Sequence, residues 1–147
     1  MRYYAVFDTN VLVSSMLTKR NDTATALVID SIYSGDIIPL YCNEILREYE
    51  EVLRRKKFPF TEESIQNILK MIRDFGLPVT PSPTGEIFTD MDDLIFYEVV
   101  MEKRNDNAYL ITGNIRHFPV RSYIVTPLEM MEILRKQKNS PPVQGNE

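Results

Sequence analysis

The sequence predicts an α/β domain, a three-layer α/β/α sandwich around a mostly parallel central sheet. Short apolar runs alternate along the chain with stretches of helical periodicity, the order that builds a parallel sheet with helices on both faces. The 147 residues fit one domain, because domains cluster at about 100–150 residues. We expect that domain over residues 1–138 and a disordered tail over residues 139–147, which contains two consecutive prolines.

In the first part of the chain, strands are predicted over residues 3–7 and 37–42, and helices over residues 10–17 and 23–34. The first strand is a short apolar run, typical of a strand buried on both faces, whereas Pro39 weakens the second because proline donates no ladder hydrogen bond. A third helix is predicted from Asn43, as its N-cap, to about residue 55. Its apolar stripe has helical spacing and consists of Ile45, Tyr49, Val52 and Leu53.

In the remainder, Thr61 opens a helix that Gly76 ends, and a short strand follows over residues 77–80. A mostly apolar helix begins at Asp92 or Asp93 and reaches residue 101. Strands over residues 107–112 and 123–125 precede a last helix over residues 127–138, which has proline in its first turn, as helices commonly do.

Composition limits the class of protein. Hydrophobic residues make up 44% of the chain and charged residues 26%, which is ordinary for a soluble globular protein. No apolar run approaches the roughly 18–20 residues that a membrane span needs, and nothing resembles a signal peptide. The single cysteine, Cys42, excludes an internal disulfide and fits a reducing compartment. We therefore expect a cytoplasmic protein with no membrane partner.

The charge balance gives mixed evidence on nucleic-acid binding. The net charge is −4, from 17 basic and 21 acidic residues, whereas nucleic-acid binders are usually basic. Basic residues are clustered, however, in the run Arg54–Lys57 and around Arg116, His117 and Arg121. Clustered charge attracts phosphate more effectively than the total suggests. A solvated helix end explains the four-residue run equally well.

In a parallel sheet, functional groups collect beyond the carboxyl ends of the strands. Asp8 stands there after the first strand, with Asn10 two residues further on. Thr112, Gly113 and Asn114 stand there after the fourth strand. Each signal also has a structural alternative, because aspartate caps helices and Gly-Asn is ordinary turn chemistry.

Three of four consecutive positions before the apolar helix are acidic, namely Asp90, Asp92 and Asp93. The helix dipole favours one or two such residues. Like charges so close repel one another unless a cation neutralises them, and a hard divalent ion with oxygen ligands does so. On the third helix, Glu48 lies at the edge of the apolar stripe, one turn before Val52, and is expected to reach the cleft. A surface salt bridge is the alternative for Glu48.

Together these segments resemble the PIN-domain family, in particular the branch described as toxin components of bacterial toxin–antitoxin systems. The resemblance covers about residues 3–134, and the order and spacing of four motifs make it specific. The motifs are Asp8-Thr9-Asn10-Val11-Leu12-Val13, Glu48-Tyr49-Glu50-Glu51-Val52-Leu53, Asp90-Met91-Asp92-Asp93 and Leu110-Ile111-Thr112-Gly113-Asn114.

The resemblance implies hydrolysis of RNA that depends on Mg²⁺ or Mn²⁺. It assigns the family's first three acids to Asp8, Glu48 and Asp93, with Asp90 as a neighbouring acid and further metal ligand. The fourth catalytic position commonly follows Thr-Gly, and this chain has Asn114 there. A neutral ligand attracts a hard cation less than a carboxylate does, so we expect one firmly held ion and a weak second site. The partners it implies are an RNA substrate and a cognate antitoxin; a homodimer is left open.

The remaining polar residues receive supporting roles. Asn10 and Thr112 are expected to support the acids, and RNA contacts are expected from Arg54, Arg55, Arg116 and His117. A carboxylate-held cation activates water and stabilises charge on the phosphate, as phosphodiester hydrolysis requires. His117 is the only histidine in the sequence and Cys42 falls within a predicted strand, so no Ser-His-Asp or Cys-His arrangement is expected.

Two other functions stay open at this point. A catalytically weak RNA-binding or antitoxin-binding module would have the same fold, and Asn114 in an acidic position favours it. A phosphoacceptor signalling domain is also α/β with acids at strand ends. That chemistry requires an adjacent acidic pair after the first strand and a lysine at the late strand end, and the segments 8–10 and 112–114 supply neither.

Overall fold

The computed structural model describes residues 2–139. Within them, five strands form one sheet in the order β3-β2-β1-β4-β5, and every pair of neighbours is parallel. The strands are β1 (Tyr3–Phe7), β2 (Ile37–Tyr41), β3 (Leu77–Pro78), β4 (Ala108–Ile111) and β5 (Ile124–Val125). The predicted parallel sheet is confirmed.

Six α-helices connect and cover these strands in the described part of the chain. They are α1 (Thr9–Leu17), α2 (Ala24–Tyr33), α3 (Asn43–Leu53), α4 (Glu62–Phe75), α5 (Leu94–Glu102) and α6 (Pro127–Asn139). The connection from β1 to β2 moves toward one edge of the sheet, and the connection from β3 to β4 moves toward the other. Right-handed crossovers in opposite directions place α2 and α5 on opposite faces. In agreement, α2 and α5 both contact β2, but α2 packs against α1 and α6 whereas α5 packs against α3. The three-layer arrangement is therefore confirmed.

The register of the central strand positions the site. Ala5, Val6 and Phe7 of β1 are fully buried, as the apolar run predicted. Phe7 pairs with Ile111, the last residue of β4. Because both strands end at this pair, Asp8 and Thr112 leave the sheet side by side.

Several element boundaries differ from the prediction by one or two residues. Asn43, expected as the N-cap of α3, is its first helical residue, and Cys42 occupies the cap position without a side-chain capping bond. Cysteine is not a typical capping residue, so the sequence did not indicate that the helix begins one residue earlier than predicted. The strand predicted over residues 77–80 ends at Pro78. The backbone N–H of Val79 still donates to Tyr41, but β2 ends there, so the strand has no further partner.

Other boundaries follow from local chemistry. Thr61 opens α4 as predicted, and its hydroxyl accepts a hydrogen bond from the Ser64 backbone N–H at 3.1 Å. A Cβ atom on Gly76 would lie 2.2 Å from the carbonyl oxygen of Ile72 and 2.6 Å from that of Pro39. Only glycine therefore lets the end of α4 approach β2 this closely.

The carboxyl end of the domain is also slightly longer than predicted. Asn139, expected to begin the tail, is the last residue of α6. The rest of the predicted tail, residues 140–147, lies outside the described residues. Across residues 2–139, no helix combines the length and the apolar character that crossing a bilayer requires.

Candidate active site

Asp8 is a buried acid at the carboxyl edge of the sheet, with 6% of its surface exposed. The hydroxyl of Thr112 donates to Oδ2 of Asp8 at 2.8 Å, and Nδ2 of Asn10 donates to the same oxygen at 3.0 Å. Burial raises the pKa of Asp8, and the Thr112 hydrogen bond is the largest opposing effect. Asp8 directly precedes α1, but its side chain makes no capping bond. Helix capping therefore does not explain this carboxylate.

The loop after β4 is tied to the same carboxylate. Oγ1 of Thr112 accepts the backbone N–H of Asn114 at 2.9 Å, while Oδ1 of Asn10 accepts the backbone N–H of Gly113 at 2.8 Å. The residues expected to support the acids, Asn10 and Thr112, thus join Asp8 to the loop. The Gly-Asn pair is part of this network and not an isolated turn.

Asp93 lies where a 3₁₀ turn, Met91–Asp93, meets α5, and its side chain is 15% exposed. Its Oδ2 is buried without a hydrogen-bond partner. Burial raises the pKa of Asp93 to about 6, and the charge of Asp8 is the next cause. A buried carboxylate oxygen without a partner is costly unless a positive charge compensates it.

Glu48 reaches the same region from α3, where its side chain is half-buried. Burial is the largest cause that raises the pKa of Glu48, followed by the negative charge of Asp92 and a smaller effect of Asp8. Arg55 opposes this shift but pairs with Glu51 at 3.7 Å. The charges of Asp92 and Asp8 therefore act on Glu48, and its role as a metal ligand stays a prediction.

The other two acids of the cluster have different surroundings. Asp90 is exposed, and its Oδ1 accepts the backbone N–H of Asp92 at 3.0 Å. The capping alternative therefore describes Asp90, which was expected as a metal ligand, although its charge still helps to raise the pKa of Asp93. Asp92 was not among the expected ligands, yet its charge acts more strongly on Glu48 than that of Asp8 does. The sequence feature that could have indicated Asp92 is its place among the three acidic residues 90, 92 and 93.

Comparison with known proteins decides the family. A family model described as PIN domain matches residues 4–116, a stretch that contains every acid described above. The chain belongs to the PIN-domain family. PIN domains are generally nucleases, which are hydrolases, and they typically use divalent metal ions. No curated protein and no solved structure matches the chain.

The acids of this PIN domain are near enough to repel one another without being tightly packed. Among residues 2–139, no three His, Cys, Asp or Glu side chains form a group that could hold a metal ion as they stand. The donor chemistry nevertheless fits a hard divalent cation, because the nearby side chains offer carboxylate oxygens and one of these oxygens is buried and unpartnered. A cation between Asp8 and Asp93 would offset the repulsion that raises the pKa of Asp93.

The cations of the PIN domain divide into two groups. Arg116 and His117 are exposed on the turn that follows Asn114, and Nδ1 of His117 lies 3.9 Å from Oδ2 of Asp93. Arg54 instead forms ion pairs with Glu50 at 3.2 Å and with Glu62 at 2.7 Å. The fold therefore brings His117 to Asp93, whereas the surface alternative describes Arg54.

Proposed function

We propose that this PIN domain is an endoribonuclease that hydrolyses RNA phosphodiester bonds with Mg²⁺ or Mn²⁺. The observation that carries the proposal is that Oδ2 of Asp93 is buried, has no hydrogen-bond partner and is subject to the negative charge of other carboxylates. Such an oxygen set suits hard divalent cations, whereas softer metals favour sulfur and imidazole ligands.

Asp8, Glu48 and Asp93 would hold the ion. When bound, the ion supplies activation of water and stabilisation of charge on the phosphate. Thr112 and Asn10 orient Asp8 through two hydrogen bonds to one oxygen, so neither donor occupies Oδ1. Fixing a ligand in this way reduces the reorganisation that metal binding requires. Asn114 follows this anchored segment and would contribute a neutral oxygen.

The proposed substrate is single-stranded or loop RNA. Unpaired bases can be splayed out of a stack, which a cleft at a sheet edge requires. The acids repel a phosphate backbone, so nearby cations must attract the strand. His117, which lies 3.9 Å from Asp93, supports this role, and we propose the same role for the neighbouring Arg116 and for Arg55, whose charge acts on Glu48.

A toxin role with a cognate antitoxin is part of the proposal and rests on the resemblance of the motifs. Expression of the protein should then arrest growth, and the Asp8→Asn variant should not. Co-expression of a small protein encoded beside it should relieve the arrest. Arrest that persists with Asp8→Asn would contradict a role based on cleavage.

The direct test is cleavage of single-stranded RNA by the purified protein. Mn²⁺ should support cleavage, and a chelator or Asp8→Asn should abolish it. Asp74→Asn is the matched control because Asp74 is an exposed aspartate paired with Lys70 on α4. RNA binding without metal-dependent cleavage would favour the catalytically weak module, the alternative that Asn114 keeps open.

A further inference from the structure

We infer that a groove beside the acids holds one unpaired base of the substrate strand. The groove lies between residues 86–89 and residues 116–119. The first segment directly precedes Asp90, and the second is separated from Asn114 by one residue, Ile115. Both walls therefore run directly into the candidate active site. The inference rests on the proposed function, because the base belongs to the RNA whose phosphate lies at the acids.

Two aromatic rings form an apolar floor. The rings of Phe88 and Phe118, one from each wall, meet edge to face with centroids 5.8 Å apart at 90°. Both side chains are buried, and Phe88 also contacts Tyr97 of α5 at 5.3 Å. The floor is thus anchored to the helix that follows Asp93, which keeps its position relative to the acids constant.

Ile87 gives the groove an apolar wall. Its side chain is 88% exposed, and a single exposed isoleucine needs no explanation by itself. Here it stands opposite Pro119 across a groove of about 250 Å³. That volume is below the roughly 300–1,000 Å³ of sites for drug-sized ligands. The space is therefore of a size that suits one flat ring system.

The charges of the groove agree with a nucleotide. Arg116 and His117 line it, and Nδ1 of His117 lies 3.9 Å from Oδ2 of Asp93, so a phosphate at the acids would meet this positive charge. Glu86 lines the same groove, and its carboxylate can only accept hydrogen bonds when it is ionised. Adenine, cytosine and guanine carry an exocyclic amino group with two N–H donors, whereas uracil offers only its single ring N3–H. The groove should therefore bind bases with an amino group better than uracil.

The test measures binding of short single-stranded RNAs in the Asp8→Asn background, where the strand is not cut. Fluorescence anisotropy with one abasic nucleotide moved along the strand should find a position whose base adds about five-fold or more to affinity, as base stacking does. Ile87→Ala should remove that increment, so that the abasic strand and the intact strand then bind equally. Leu128→Ala is the matched control, since Leu128 is a 60% exposed apolar residue on α6, and it should change nothing.

Base preference gives a second readout. Uracil at the sensitive position should bind several-fold more weakly than cytosine, and Glu86→Gln should remove this difference because an amide both donates and accepts hydrogen bonds. An abasic scan with the same profile in Ile87→Ala as in its parent overturns the groove, and so does an absence of RNA binding. If the sensitive position is found but the wild-type protein cleaves no RNA with any divalent metal, the groove stands and the proposed cleavage is wrong.

Discussion

The hydroxyl of Tyr49 donates a 2.5 Å hydrogen bond to the backbone carbonyl of Phe7. Phe7 is the last residue of β1 and directly precedes Asp8, whereas Tyr49 directly follows Glu48 on α3. The ring of Tyr49 also lies 6.2 Å from that of Phe96 on α5, centroid to centroid. One buried side chain thus connects the three elements that carry or adjoin Asp8, Glu48 and Asp93.

Tyr49→Phe should therefore weaken Mn²⁺ binding as well as stability. The change keeps the ring and removes one buried hydrogen bond, which costs about 1–3 kcal/mol when the acceptor is left unsatisfied. Denaturant unfolding measures the loss of stability, and calorimetry measures the affinity for Mn²⁺. Tyr97→Phe is the control, because it removes a hydroxyl contact with Tyr123 at 3.3 Å away from the acids. Unchanged Mn²⁺ affinity in Tyr49→Phe would show that its role is structural only.

The metal assignment predicts a strong effect of Asp93→Asn. Removing the charge of the buried carboxylate should weaken Mn²⁺ binding by at least about ten-fold, because a neutral amide attracts a hard cation poorly. Asp92→Asn should weaken binding less, because it removes a nearby negative charge and none of the proposed ligands. Titration calorimetry checks both, with Asp74→Asn as a variant that should bind as the wild type does. Equal affinity in Asp93→Asn and wild type would remove Asp93 from the ligand set.

The raised pKa of Asp93 predicts how the free energy of unfolding of the metal-free protein depends on pH. Its folded pKa is raised to about 6 from an ordinary value of 3.8, so the folded state binds this proton more tightly than the unfolded state. The stabilising contribution of the protonated form is complete below about pH 4 and is lost as the pH rises through 6. In a chelator, the wild type should therefore lose stability between pH 4 and pH 6 relative to Asp93→Asn. Parallel unfolding curves for the two proteins across this range would contradict the prediction.

Variants of Asn114 test whether the site binds one metal ion or two. Asn114→Asp supplies the missing carboxylate, so a second ion should bind more tightly and cleavage should need less Mg²⁺. Asn114→Ala should lower the cleavage rate and leave the fold intact, because the residue is exposed. Cleavage rates over a range of Mg²⁺ concentrations decide the matter. If both variants keep the wild-type metal dependence, Asn114 is a turn residue only.

Arg116 and Arg54 should differ in their effect on RNA binding. Each phosphate contact contributes about one unit to the slope of log affinity against log salt, so Arg116→Ala should reduce that slope by about 1. Arg54→Ala should leave it unchanged, since the guanidinium is paired with Glu50 and Glu62. Binding isotherms at several salt concentrations measure both slopes. A larger effect of Arg54→Ala would reverse the assignment of these two arginines.

Much of the fold was accessible from local patterns. The apolar runs and helical stripes gave the order of strands and helices, and the rule of right-handed crossovers then restricted how they could assemble. One error fell where a boundary depends on another segment. The strand after Gly76 is short because its partner β2 ends at Tyr41, and nothing within residues 77–80 reports where that partner ends.

The sequence by itself determined which residues stand at the carboxyl ends of the strands, and therefore that Asp8 and Thr112 share one edge of the sheet. Only the tertiary structure decided what each side chain contacts there. Thr112 donates to Asp8 across 104 residues of chain, Arg54 is paired with Glu62, and Oδ2 of Asp93 is buried without a hydrogen-bond partner. Periodicity is a property of neighbouring residues, whereas burial and ionic partners depend on which distant segments the fold brings together.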